Sequence, residues 1–226
     1  MASVYRTWAD GDAFTAADAG TYFMRQSTIA VDTSTDRDAI LTPQEGMKVW
    51  RKDIDALEVY DGSAWLHIPR LLKRVALTSA ASSISVTGIP LRDNLQIKAT
   101  IINTGGTILP GIRFNNDTAT NYADQSNYSN GATAATVSQT RIPAASSTFA
   151  EAYPQHVLVD LLNLSTHMKV CFVRAQDIFS TNATTSLNYA DINGKWASTA
   201  QVNRVDLYNI TGTGNFAAGS YVEIYG

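Results

Sequence analysis

A single cysteine, Cys171, stands among 226 residues, which excludes an internal disulfide framework and leaves core packing or association with other chains to hold the fold. Histidine is nearly as scarce. His67, His156 and His167 fall in separate segments with no Cys, Asp or Glu at ligand spacing, so no metal site is expected. Charged residues make up only 16% and the net charge is −3, and the one basic cluster runs from Arg70 to Arg74. Such a chain has no positive field for nucleic acid and no patch for a membrane surface. No window approaches the run of about 18 apolar residues that a membrane span needs, and the opening Met-Ala-Ser-Val-Tyr-Arg has no apolar signal core. Synthesis in a cytosol without membrane insertion is the expectation.

Catalytic constellations are equally sparse. His156-Val157-Leu158-Val159-Asp160 pairs a base with an acid, but no Gly-x-Ser-x-Gly turn accompanies it, and the segment reads as a strand with its polar residues outward. Asp32, Asp36, Asp38, Asp53, Asp55 and Asp61 lie in turns, where carboxylates bond local N–H groups. A paired-carboxylate glycosidase has no constellation behind it, although spacing in sequence does not fix spacing in the fold, and Cys171, inside Met168-Lys169-Val170-Cys171-Phe172-Val173, reads as a small buried hydrophobe. The expectation is a non-enzymatic chain without cofactor. Asn-x-Ser/Thr triplets at Asn116, Asn127, Asn163, Asn182 and Asn209 follow from the abundance of these residues and carry no argument.

What the chain does have is 45% hydrophobic residues, enough for a core, arranged in two patterns. From Pro43 to Trp65, Met47, Val49, Leu57, Val59 and Trp65 alternate with polar residues. Asp53 to Asp55 supplies one turn and Asp61-Gly62 another, which predicts a hairpin. Upstream, Thr15-Ala16-Ala17-Asp18 is a loose capping box before Ala19, Tyr22 and Phe23, predicting a short helix. Ser27 to Val31 reads as a brief strand, and Asp32 to Thr42 as polar, turn-rich chain. So thin a module buries little apolar area alone, which points to an oligomer. Ile68-Pro69-Arg70 marks its end, giving domains 1–70 and 71–226.

The stretch Thr7-Trp8-Ala9-Asp10-Gly11-Asp12, then Glu45-Gly46-Met47, then Tyr60-Asp61-Gly62-Ser63-Ala64-Trp65 resembles the N-terminal modules of tailed-bacteriophage virion proteins: minor tail proteins, head or tail fibres and capsid decoration proteins. The resemblance covers roughly residues 7 to 67, and Trp50 departs from it where tyrosine is more usual. More loosely, Ile112-Arg113-Phe114-Asn115-Asn116-Asp117 with Asn121-Tyr122, and Asn215-Phe216-Ala217-Ala218-Gly219-Ser220, are similar to the β-sandwich domains that end many such proteins. It implies location in a virion, attached to capsid or tail proteins. A capsid site would require a base matching local threefold symmetry.

From Leu71 onward, short alternating runs separated by Gly and Pro predict an antiparallel, jelly-roll-like β-sandwich, making the whole chain mainly β with a small helix-plus-hairpin attachment module in front. The expected strands are Arg74–Leu77, Leu95–Asn103, Ile108–Asn115, Val157–Asn163, Met168–Ala175, Val202–Ile210 and Tyr221–Tyr225. Gly105-Gly106, Asn130-Gly131 and Asn193-Gly194 read as turns, and residues 116–135 as a polar surface loop. Two functional sets follow. Trp8, Phe14, Tyr22, Phe23, Trp50 and Trp65 are the expected anchors of a homotrimer and of its attachment to the particle, because large aromatics dominate interface energies. Tyr122, Tyr128, Tyr189 and Trp196, in Asn/Ser/Thr-rich surroundings, are the candidates for an alternative role, contact with a host-surface glycan.

Overall fold

A computed structural model describes residues 28–40, 43–68, 70–129, 131–145, 153–177, 188–210 and 213–226. The fold is mainly β, and the chain divides into two compact units between Arg70 and Leu71. The helix expected after Thr15 lies outside the described residues.

The first unit holds a four-stranded sheet of β1 (Thr28–Val31), β2 (Lys48–Arg51), β3 (Ala56–Tyr60) and β4 (Trp65–His67) in that order, with β1 parallel to β2 and the rest antiparallel. Both turns form where the sequence places them. Asp55 adopts φ 49° in the first. In the second, the Asp61 carboxylate accepts the N–H groups of Ala64 (2.7 Å) and Ser63 (2.9 Å), and these bonds hold it below the usual carboxylate range. The segment Asp32 to Thr42, expected as irregular chain, contains a short helix, α1 (Ser34–Asp38). Thr33 caps it, its hydroxyl accepting the Asp36 N–H while the Asp36 carboxylate accepts the Thr33 N–H.

The second unit is a β-sandwich of unequal sheets. Its strands are β5 (Leu71–Ala76), β6 (Ser83–Thr87), β7 (Asn94–Ile101), β8 (Asn103–Thr104), β9 (Pro110–Phe114), β10 (Tyr122–Tyr128), β11 (Thr133–Gln139), β12 (Ile142–Pro143), β13 (Gln155–Leu162), β14 (Lys169–Asp177), β15 (Asn188–Trp196), β16 (Arg204–Asn209), β17 (Asn215–Phe216) and β18 (Tyr221–Tyr225). The larger sheet has the antiparallel order β11, β10, β15, β14, β13, β7, β18, β5; the smaller has β12, β9, β16, β6. Alternation decides what faces inward. Leu95, Ile97, Ala99 and Ile101 of β7, Val157, Val159 and Leu161 of β13, and Cys171, Val173 and Ala175 of β14 meet Ile84, Val86, Ile112, Phe114, Val205 and Leu207 of the smaller sheet in one core. The expected strands all coincide with observed ones to within a few residues.

Two expectations fail here, each for a physical reason. Residues 116–135 are not a loop: most of them build the β10–β11 hairpin. The inward side chains of β10 include Asp124 and Ser126, so its alternation carries no apolar signal. Asn193-Gly194 is not a turn but lies within β15, and Gly194 has no positive φ. Glycine is required there by space, since a Cβ would sit 2.7 Å from Ile142 Cδ1 and 2.8 Å from Cys171 Sγ.

Candidate functional site

The sheet of the first unit has two unlike faces, set by its register. Val49 pairs with Glu58 and Arg51 with Ala56, so Val31, Val49, Ala56 and Glu58 share the buried face. Lys48 pairs with Val59, Trp50 with Leu57, and Val59 with Leu66, which puts Trp50, Leu57, Val59 and Leu66 on the other. The alternation read from the sequence holds within each strand. The register nevertheless sends Leu57 and Val59 to the face opposite Val49.

On the buried face Glu58 is 4% exposed, and its two carboxylate oxygens accept from Arg37 (2.8 Å) and Arg51 (3.2 Å). Arg51 also grips Asp53 (2.6 Å) and Arg37 grips Asp38 (2.8 Å), so one network ties α1, β2 and β3 together. A carboxylate with a cation at each oxygen is neutralised and spatially fixed, which suits a structural clasp.

The opposite face is where the unit offers apolar surface. Trp50, Leu57 and Val59 are half-buried, and Leu66 is 51% exposed. The Arg70 guanidinium lies 5.1 Å over the Trp50 ring and pairs with Asp55. Trp65 falls on the Glu58 side, half-buried and tilted against Tyr60 with ring centroids 5.2 Å apart. The other expected anchors, Trp8, Phe14, Tyr22 and Phe23, lie outside the described residues. Leu57 and Val59 were visible as alternation and Leu66 was not, and only the register shows that all three flank Trp50.

In the sandwich, burial removes two of the four glycan candidates. Tyr122 is 1% exposed, its hydroxyl accepting the Phe114 N–H (3.0 Å) and donating to the Phe114 carbonyl (3.2 Å). Burial raises its pKa. Trp196 is 3% exposed and donates its indole N–H to Asp117 (2.7 Å). With Phe114 these rings form a core triad whose centroids are 5.8–6.4 Å apart. Asp117 is desolvated, yet bonds from Asn121, Trp196 and the Ala119 N–H, with the charge of Arg113, hold its carboxyl below the usual range. The polar tips that would meet a sugar are bonded inside the protein instead. Tyr128 is half-buried against the same core. Tyr189 alone of the set is exposed, at 44%, on the outer face of the larger sheet opposite Gln176 and beside Asn188 and Ser129.

Among the described residues no group of three His, Cys, Asp or Glu could hold a metal ion, and no helix is long and apolar enough to cross a membrane. His67, His156 and His167 are exposed. Cys171 is buried, and desolvation pushes its thiol up to about 12, far from a reactive thiolate. No protein-family model, curated protein or solved structure matches the chain.

Proposed function

We propose that this chain is a non-enzymatic structural protein of a tailed-phage virion, a homotrimer that attaches to capsid or tail proteins through residues 1–70 and carries its β-sandwich outward as a fibre, minor tail or decoration protein. The observation that supports this reading is the half-open apolar face of the first unit. A four-stranded sheet that keeps Trp50, Leu57, Val59 and Leu66 partly in water leaves favourable burial unrealised, at about 25 cal/mol per Å2 of apolar area still to be covered. Subunits of one assembly, or a virion protein, would cover it. The sequence resemblance over roughly residues 7 to 67 supplies the identity of the particle.

The test is Leu57→Asp in the full chain, with mass in solution read by light scattering and incorporation read by co-sedimentation with purified particles. The expected result is loss of the trimer and of incorporation, with the far-ultraviolet signal of the sandwich retained. An unchanged trimer that still sediments with particles would refute the attachment face. A second reading, binding of a host-surface carbohydrate, is favoured by one observation only: Tyr189 exposed on the outer face of the larger sheet, opposite the amide side chain of Gln176. Cell-wall glycans retained by the wild type and lost by Tyr189→Ala would support it, and an array blank for the wild type would remove it.

A further inference from the structure

A sheet edge is a row of unpaired N–H and C=O groups, and proteins that leave one open usually blunt it with charge, proline or a covering element. Three of the four edges of the sandwich are treated this way. Strand β5 carries Lys73 and Arg74, β12 is two residues long and ends in Pro143, and β6 packs beside β5 and β18 of the facing sheet. Among the described residues the fourth edge, β11, has no charge, proline or covering element; its one irregularity is a bulge between the Tyr122–Gln139 and Asp124–Thr136 pairs, beyond the regular stretch. No residue of Thr133–Gln139 is buried, Val137 is 73% exposed, and among the described residues the strand pairs with β10 alone. From Gln125 to Thr140 the chain has no charged residue and no proline.

The geometry is regular where pairing would occur. Thr133 to Thr136 run in unbroken register against Asn127 to Asp124, and the irregular Ser138, with φ 54°, comes only at the end. We infer that the open edge of β11 pairs antiparallel with the β11 edge of a second copy of this chain, joining two larger sheets into one across a two-fold axis near Ala135. Identity of the partner follows from the chemistry of the strand. A two-fold axis sets the residue on it against its own copy and residues on either side of it against one another's copies, so like charges there would meet, as Lys73 and Arg74 would if β5 paired with itself. With the axis at Ala135, Ala135 meets its own copy, Ala134 meets Thr136 of the second copy and Thr133 meets its Val137; all of these are small or β-branched and uncharged, and they pair without conflict. This contact is separate from the one proposed for residues 1–70.

The test uses the full chain. Ala135→Lys and Ala135→Glu each place like charges across the axis, and each is expected to lower the mass in solution to half or less of the wild type. An equimolar mixture of the two is expected to recover it, which a misfolded variant could not do. In a second measurement, Ala135→Cys forms a disulfide-linked dimer under mild oxidation. Thr133→Cys does not, because its two copies lie on the order of 13 Å apart along the paired strands. The mass left in Ala135→Lys reports the contact made through residues 1–70, so the two proposals fail separately. Unchanged mass in both charged variants, no recovery on mixing, or equal cross-linking at both cysteine positions would each overturn the inference.

Discussion

Gly194→Ala isolates a single packing contact between the two sheets of the sandwich. Gly194 faces inward from β15, and an added Cβ would lie 2.7 Å and 3.0 Å from Cδ1 and Cγ2 of Ile142 and 2.8 Å from Sγ of Cys171. Ordinary carbon contacts are about 3.5–4.0 Å, so the methyl overlaps its neighbours by up to about 1 Å. Ile142 is fully buried in β12, and Cys171 sits in β14 beside Gly194, so neither can swing into solvent. Overpacking of this kind costs about 1–3 kcal/mol. The loss of glycine's freedom in the unfolded chain returns about 0.4–1 kcal/mol. The net expectation is a destabilisation of about 1–2 kcal/mol, read from urea unfolding followed by circular dichroism. Ile142→Val removes the nearest atom. Alone it should cost about 0.5–1.5 kcal/mol, and in the Gly194→Ala background it should cost nothing or restore stability, a coupling of at least about 0.5 kcal/mol. A Gly194→Ala protein as stable as the wild type, or a strictly additive double variant, would show that the space is not tight and that the glycine has no packing reason.

Two further outcomes are expected. Glu58→Ala leaves Arg37 and Arg51 on the buried face with only Asp38 and Asp53 as partners, and should destabilise the first unit by about 2–3 kcal/mol, below the 3–5 typical of a fully buried pair because both arginines keep some water; a change under about 0.5 kcal/mol in thermal unfolding would refute the clasp. Cys171, raised from about 9 to about 12 by burial, keeps its proton in the fold while the unfolded chain gives it up, so its contribution is complete below pH 9 and declines by up to about 1.4 kcal/mol per pH unit between pH 9 and about 12. Unfolding curves across that range should fall more gently for Cys171→Ala than for the wild type, and parallel slopes would count against the buried thiol.

Aliphatic alternation made most of the sandwich legible, because β7, β13 and β18 place Val, Leu, Ile or Ala at nearly every inward position and β14 adds Val173 and Ala175. It failed where inward positions hold polar groups: β10 buries Asp124 and Ser126, with the Ser126 hydroxyl donating to Asp124 at 2.9 Å. In β15 a local turn signal, Asn-Gly, concealed a packing requirement that comes from β12 and β14, elements distant in sequence. Helix α1 escaped notice although Thr33-Ser34-Thr35-Asp36 carries a capping box, since it is five residues long and buries nothing. The open face around Trp50 needed one fact that no pattern contains: the Asp53–Asp55 turn sets Val49 opposite Glu58, and a slip of one residue would have put Leu57 and Val59 inside.

The amide- and hydroxyl-rich composition that made a sugar-binding surface attractive is used largely within the sandwich. Asn163 is fully buried, its amide donating to the carbonyls of Arg92 (2.8 Å) and Val202 (3.3 Å) and accepting the Val202 N–H (2.6 Å). Asn209 accepts the Leu109 N–H (3.0 Å) and donates to the Gly214 carbonyl (2.7 Å), and Asn115 accepts from the N–H groups of Asn203 and Arg204 while donating to the Gln201 carbonyl. Each side chain stands in for a peptide group where the ladder stops, satisfying backbone polar atoms that would cost about 1–3 kcal/mol if buried unpaired. Lys169 does the same with charge. Its ammonium donates to the carbonyls of Leu164 and His167 (both 2.6 Å), Thr199 (3.1 Å) and Ser198 (3.4 Å), joining two loops, although desolvation lowers its pKa. Loops tied down in this way are poorly placed to reshape around a ligand, and Tyr122 and Trp196 are held by bonds of the same kind. Among the described residues of the sandwich, Tyr189 is therefore the one glycan candidate left exposed, and it stands on a sheet face whose backbone is fixed by its ladder.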